Sequence, residues 1–194
     1  EGCLKLPEIN LTDVITLIIQ EIAHRSESFA HVDVHRLLVC LASNRSNSRG
    51  GTFGKLVPLR FKDGAETVRY RGRLYAMPRL NYGGLEQRYL IYFYHPRFFD
   101  LPPLEKLKVV FHELYHISPD FNGDVRRMGK RKSLHGGLRE RFDELFEEEV
   151  REFYAYIKKT PYMKFLNMNA RALNALFEKI GARRMKMPKP VVVS

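Results

Sequence analysis

One run of five residues, His112-Glu113-Leu114-Tyr115-His116, has residue types and a spacing suited to metal chemistry. Histidines four positions apart on a helix project from the same face, so their imidazole nitrogens can bind one zinc ion. Glu113 lies beside them and can act as general base toward a water molecule at that metal. In a chain with 7 His among 194 residues, chance gives this pattern only about 0.02 times. We therefore interpret it as a metal centre rather than as two unrelated helix histidines.

A catalytic zinc needs a third protein ligand and an open position. His135 is the best candidate, because no other His follows the motif and because Gly136-Gly137 would let the backbone turn toward the metal. The acidic alternatives are Asp120, Asp124, Glu144, Glu147, Glu148 and Glu149. The glutamates among them also suit the solvated face of the next helix.

Two further features near the motif each have two interpretations. A ligating histidine usually donates its second ring N–H to a carboxylate or carbonyl, and Asp120 or Asp124 could fill that role. Both also suit a turn, since Asn122-Gly123-Asp124 has a turn composition. The strand predicted over residues 88–94 could pair with an extended substrate at the rim of a cleft, or it could be a buried core strand.

The elements that must position the motif follow from hydrophobic periodicity and turn residues. They are a helix over 11–24, strands over 36–42, 55–61, 68–77 and 88–94, a helix from Pro102 or Pro103 to about Ile117, a helix over about 138–159, and a last helix over 169–180. This order predicts an α+β fold, in which helices pack against a small mixed or antiparallel sheet. Residues 1–181 are expected to form one domain, and residues 182–194 a basic, flexible tail.

Composition limits the class of protein. A hydrophobic fraction of 44% supports a packed core, and no stretch is long and apolar enough to span a membrane. The two cysteines, Cys3 and Cys40, cannot form a disulfide framework or a zinc ribbon, so an intracellular, cytoplasmic setting is expected. The oligomeric state leaves no mark on the sequence.

The formal net charge of +11 suggests either affinity for nucleic acid or another acidic partner, or simply a solvated basic surface. Basic residues cluster at Arg126-Arg127, Lys130-Arg131-Lys132 and Arg183-Arg184-Lys186. The first two clusters lie between the motif and His135. They could bind an acidic substrate or a phosphate backbone there.

Several segments together resemble the phage-type metallopeptidase family, a group related to SprT-like zincins. They are Phe99-Asp100-Leu101-Pro102, Glu105-Lys106, Val110 to Ile117, Phe121, Gly123-Asp124 and Leu134-His135-Gly136, with a weaker likeness over residues 9–97. The resemblance implies a zincin-like fold, zinc ligands His112, His116 and His135, and a catalytic Glu113. SprT-like relatives often act on proteins bound or crosslinked to DNA, but this chain lacks the cysteine-rich zinc ribbon that many of them carry.

Two functions remain open at this stage. One is a zinc peptidase that cleaves peptide bonds, favoured by the intact Glu113 beside both histidines. The other is a non-catalytic, zinc-containing module associated with nucleic acid or with regulation, favoured by the net charge. The ligand count distinguishes them, because a structural zinc site is closed by four protein ligands.

Overall fold

The architecture is given by a computed structural model that describes residues 5–43, 52–127 and 139–193. Over residues 139–145 the description covers the backbone but not the side chains. In chain order the elements are β1 (Leu6–Asn10), α1 (Leu11–Arg25), β2 (Leu37–Ser43), β3 (Gly54–Pro58), β4 (Thr67–Tyr70), β5 (Arg73–Ala76), β6 (Asn81–Tyr82), β7 (Leu85–Glu86), β8 (Tyr89–His95), α2 (Pro103–Tyr115), α3 (Arg139–Ile157), α4 (Tyr162–Asn167), α5 (Ala170–Leu176), β9 (Phe177–Gly181) and β10 (Val191–Val192). The fold is therefore α+β, with small sheets and several helices. Within the described ranges, none of the helices combines the length and the apolar character that crossing a membrane requires.

The central sheet has the order β2-β8-β3, with β2 parallel and β3 antiparallel to β8. The five residues from Tyr89 to Phe93 are buried, because β8 has a neighbour on each side and a packed layer on each face. Of the two interpretations of this strand, the buried core strand is the one found. A substrate could not pair with β8, because β2 and β3 occupy both of its sides.

Helices cover one face of the central sheet. The apolar residues of α1 and α2 share one core with this face: Leu37, Val39, Leu41, Leu56, Ile91 and Phe93 from the sheet, Ile15, Ile18, Ile19 and Ile22 from α1, and Leu107, Val110, Phe111 and Leu114 from α2. Asn10 starts α1, since its side chain accepts hydrogen bonds from the backbone N–H groups of Thr12 and Asp13. The helical spacing in the sequence predicted both helices to within two residues at each end.

On the other face of the sheet, the described residues that pack there come from loops and not from helices. Its apolar side chains are Leu38, Cys40, Val57, Leu59, Leu90 and Tyr92, and they pack against Met77, Leu80, Met185 and Met187. The last two lie in the segment predicted to be a flexible tail. Arg183 of the same segment lies along the edge of β2, where its carbonyl accepts from Leu41 N–H at 2.8 Å and its Nε donates to Val39 O at 3.0 Å.

Two predicted elements differ from the structure. The strand expected over 68–77 is a hairpin, β4 and β5, that turns at Arg71 and Gly72, both with positive φ. The helix expected over 169–180 ends at Leu176, because Phe177–Gly181 pairs in parallel with β1 near the start of the chain. The backbone bonds offered by β1 outweigh the local preference for helix, which is weak over so short a segment.

A buried lysine joins α2 to α4. Lys106 is 1% exposed, and its Nζ donates to Leu166 O at 2.7 Å and to Met168 O at 2.8 Å. Burial lowers the pKa of Lys106 to about 8. The two carbonyls lie at the end of α4, so this ammonium satisfies backbone acceptors there.

Lys106→Met is expected to lower the free energy of unfolding by about 1–3 kcal/mol, because it leaves the carbonyls of Leu166 and Met168 without their donor. Urea denaturation measures the change. Lys108→Met is the matched control on the same helix, since Lys108 is only half-buried and, among the described residues, pairs with Glu105 alone. Equal stability of the two variants would show that the buried ammonium adds nothing net.

Candidate metal centre

Helix α2 presents the histidines on the side away from its apolar face. Pro103 occupies the first turn, where its missing N–H costs nothing, and the apolar face packs on the sheet. His112 and Glu113 lie in the last turn, and His116 is the C-cap with helical backbone angles. Both histidines are half-buried. The predicted placement of the pair on one helix face is therefore what the structure contains.

The two imidazole rings approach each other closely. Their Nε2 atoms are 3.1 Å apart, and the rings are nearly perpendicular, with centroids separated by 4.8 Å. Two nitrogens bound at about 2.0–2.1 Å to one tetrahedral ion lie about 3.3 Å from each other. The spacing therefore fits two ligands of a single zinc ion, and without metal one ring can donate its N–H to the other.

The chain after α2 folds back on the C-terminal end of that helix. Arg126 N–H donates to His116 O at 2.7 Å, and Arg126 Nε donates to Tyr115 O at 2.8 Å. The guanidinium also lies 4.4 Å from the centre of the Tyr115 ring. A cation that binds the last carbonyls of a helix stabilises its end. Arg126 thus fixes the backbone of Tyr115 and His116 at the end of α2.

Glu113 is buried between α2 and the edge of the sheet. It is 7% exposed, and its Oε2 accepts a hydrogen bond of 2.8 Å from the backbone N–H of Leu56 in β3. Burial raises the pKa of Glu113 to about 7, although the Leu56 bond and the charge of Lys55 both act to lower it. A carboxyl with this pKa can accept or release a proton near neutral pH.

Gly54 makes this contact possible. A Cβ atom at position 54 would lie 2.8 Å from Glu113 Cγ and 3.1 Å from Val109 Cγ1, so any larger residue would separate β3 from α2. The sequence analysis did not identify Gly54 or Leu56 as part of the site. A glycine inside a strand can indicate close approach of another segment, but the predicted strand began at Lys55.

Asp124 belongs to the loop after α2. Its carboxylate accepts from Arg127 Nε and Nη2 and from the backbone N–H groups of Asp63 and Val125, all at 2.8–2.9 Å. Burial raises the pKa of Asp124, but these donors together hold it below its ordinary value. Of the two interpretations, the structure supports the loop residue, and a role beside a histidine stays a prediction.

The described residues bring no third candidate ligand to the two histidines. No group of three His, Cys, Asp or Glu side chains that could hold a metal occurs in the ranges 5–43, 52–127 and 146–193. Glu147 pairs with Arg151, and Glu149 accepts a hydrogen bond from Ser26. Asp120 and Glu148 are exposed. His135 and the side chain of Glu144 lie outside the described residues, so both stay candidates.

Glu113→Gln is expected to stabilise the metal-free protein, and more so at higher pH. The folded pKa of about 7 exceeds the ordinary 4.5, so the carboxyl's stabilising contribution is fully present below pH 4.5 and is lost as the pH rises through 7. The amide keeps an oxygen for Leu56 N–H but has no charge at any pH. The gap in unfolding free energy between variant and wild type should widen by about 3 kcal/mol from pH 4.5 to pH 8, measured by urea denaturation with EDTA. A gap that is independent of pH would show that Glu113 titrates normally.

Comparison with known proteins places the chain in a family. No curated protein and no solved structure matches the chain. One family model does match, over residues 9–181, a range that begins just before α1 and ends with β9. This range includes both histidines, Glu113 and the β3 edge. The chain therefore belongs to the family described as "Putative phage metallopeptidase".

Proposed function

We propose that this protein is a zinc-dependent peptidase of the zincin type, in which His112, His116 and His135 hold zinc and Glu113 is the general base. The observation that carries the proposal is the pair of imidazole Nε2 atoms, 3.1 Å apart, on the helix that also carries a buried carboxyl. Membership of a metallopeptidase family supports a peptide substrate.

The donor set suits zinc. Imidazole nitrogen is among the ligands that zinc binds best, and catalytic zinc sites keep three protein ligands and one open position. When bound, the metal would act as a Lewis acid on the scissile carbonyl and lower the pKa of the attacking water. The positive charge of a metal would also favour the ionised form of Glu113, which can then accept a proton.

Glu113 would move the protons. Leu56 N–H donates to Oε2, and the carboxyl would take a proton from the attacking water. The same carboxyl would then give the proton to the leaving amine nitrogen. Burial between α2 and β3 raises the pKa of the carboxyl to about 7, close to neutral pH, where proton transfer in both directions is easiest. Gly54 keeps β3 close enough for this orientation.

His135 is proposed as the third ligand. Among the described carboxylates of α3, Glu147 pairs with Arg151, Glu149 accepts a hydrogen bond from Ser26, and Glu148 is exposed. His135 lies between Arg127 and the start of α3, in the stretch that follows the metal helix. A neutral imidazole leaves the site more positive than a glutamate would, which favours a more acidic bound water. Glu144 is the competing ligand.

The alternative is a closed, structural zinc site without catalysis. Such a site needs four protein ligands. The described residues bring together His112 and His116 alone, and Glu113 is held by β3. A carboxyl with a pKa of about 7 beside a two-histidine pair suits a general base, so the catalytic function is favoured.

Purified protein should carry about one zinc per chain. His112→Ala and His116→Ala should each weaken zinc binding by more than about 100-fold, because even residues behind the ligands cost about 10–100-fold. Elemental analysis and chelator competition measure this change. Full metal content in either variant would remove the histidine pair from the metal site.

Glu113→Gln is the matched control, because it should keep the zinc but lose hydrolysis of fluorescein-labelled casein. The amide cannot accept the proton of the attacking water. Hydrolysis by this variant at the wild-type rate would show that Glu113 is not the base. If wild-type protein binds zinc through four protein ligands and cleaves nothing, the structural alternative holds.

His135→Ala should weaken zinc binding as strongly as the change at His112, while Glu144→Ala should leave it within about twofold of wild type. Cobalt substitution gives a second measurement, since the visible spectrum of bound Co²⁺ reports the ligand set. The opposite result, with Glu144→Ala losing metal and His135→Ala retaining it, would assign the third position to the α3 carboxylate.

A further inference from the structure

The β4–β5 hairpin lies apart from the central sheet and is open to solvent. Each of residues 65–73 is exposed, and β10 is the one described strand that pairs with the hairpin, on the side of β5. Directly paired residues place their side chains on the same face. The register pairs Val68 with Tyr75, Tyr70 with Arg73, and Tyr75 with Val192. These five residues form what we call the hairpin face.

The hairpin face carries two aromatic rings beside two cations. Tyr70 is 57% exposed, and its ring centre lies 6.5 Å from that of Tyr75, which is half-buried. Arg71, at the turn, holds its guanidinium 5.2 Å from the centre of the Tyr70 ring. Arg73 is paired directly with Tyr70. The Tyr70 ring thus lies close to both the Tyr75 ring and the Arg71 guanidinium.

The hairpin arginines form no ion pairs within the described chain. Arg69, Arg71 and Arg73 have no carboxylate within salt-bridge distance in the ranges that the structure covers. Glu66, the acidic residue at the base of the hairpin, is bound by Arg60 and Arg79. Three positive charges on the hairpin therefore face solvent without a counter-charge.

Of the five described residues in the basic clusters of the sequence, three are used inside the fold, and Arg184 and Lys186 are exposed. Arg126 binds the end of α2, and Arg127 binds Asp124. Arg183 donates to Asp13, Thr16 and Val39 O. Lys130, Arg131 and Lys132 lie outside the described residues. Unlike Arg127 and Arg183, the hairpin arginines have no carboxylate partner among the described residues and can bind an acidic partner.

Protection of a sheet edge does not explain this surface. Charges on an edge strand prevent unwanted pairing, but Tyr70, Val68 and Val192 expose apolar surface that such protection would avoid. An acidic peptide would use the arginines and leave the rings without a partner. Unpaired bases use both, since they stack on aromatic rings while their phosphates bind arginine. Duplex DNA hides its base faces and would use the charges alone.

We propose that the hairpin face binds single-stranded nucleic acid, with bases stacked on Tyr70 and Tyr75 and phosphates bound by Arg71 and Arg73. Because stacking accepts every base, binding should show little sequence preference. This surface is separate from the metal centre and does not depend on the proposed peptidase activity.

Fluorescence anisotropy with a labelled 20-nucleotide oligo-dT tests the proposal on the full chain. Tyr70→Ser should weaken binding about 10-fold, whereas Tyr70→Phe, which keeps the ring, should stay within about twofold. Arg71→Ser combined with Arg73→Ser should reduce the slope of log affinity against log salt by about 1.4, which corresponds to two lost phosphate contacts.

The matched control removes two charges elsewhere. Lys159 and Lys164 are exposed near the end of α3 and in α4, so Lys159→Ser combined with Lys164→Ser lowers the net charge equally and should leave the slope unchanged. His112→Ala, which removes the metal if the proposed function holds, should bind oligo-dT as wild type does. Unchanged far-ultraviolet circular dichroism confirms that each variant is folded.

Several results would overturn the proposal. Two concern the wild-type protein: no binding to oligo-dT at low salt, or a 20-base-pair duplex that binds as tightly as the single strand. Two concern the variants: equal losses of salt dependence in the hairpin arginine and control lysine variants, or equal affinities for Tyr70→Ser and Tyr70→Phe. A glutamate-rich peptide that binds more tightly than oligo-dT, and loses affinity with the same arginines, would assign the face to an acidic protein instead.

Discussion

Glu113 accepts a hydrogen bond from the backbone N–H of Leu56, and this bond joins the metal-motif helix to the edge of the central sheet. Burying a carboxylate is costly unless donors surround it. Here a single backbone donor compensates in part, so the pKa of Glu113 rises to about 7. The contact requires that β3 approach α2 without a side chain between them, and Gly54 meets that requirement. The position of the Glu113 carboxyl therefore depends on the packing of β3 against α2.

The rest of the fold holds this contact in place. β8 is buried in the middle of the sheet and fixes β3 by antiparallel pairing on one side. The apolar face of α2 packs on the same sheet, and Lys106 ties the helix to α4. Arg126 binds the carbonyls at the other end of α2, next to His116. The half-buried histidines are thus carried by a helix fixed at several points, which suits a site that must keep its ligands aligned.

The positive charge of the chain is divided between two uses. Arginines near the helix ends and along β2 form hydrogen bonds inside the fold, where they satisfy carbonyls and carboxylates. The arginines of the β4–β5 hairpin face solvent beside the exposed Tyr70. Net charge counts both groups equally, so a value of +11 cannot show where a partner binds. Burial and pairing distinguish them.

The sequence by itself determined the local geometry of the candidate site. A spacing of four residues places His112 and His116 on one helix face because the helix repeats every 3.6 residues. The bounds of α1, α2 and α3 followed from the same periodicity. Short motifs around the two histidines showed the chain's likeness to a metallopeptidase family. These features arise from bonds between residues close in sequence.

Only the tertiary structure decided which segments meet. Leu56 and Glu113 are 57 positions apart, and no local pattern shows that one will donate to the other. Contacts between distant segments also decide three other features. These are the central place of β8, the strand Phe177–Gly181 where a helix was predicted, and the internal partners of Arg126 and Asp124. Each depends on pairing or packing between distant segments, whose free energy can exceed a weak local preference. For that reason the sequence identified the histidines and Glu113, while the fold showed how Glu113 is held.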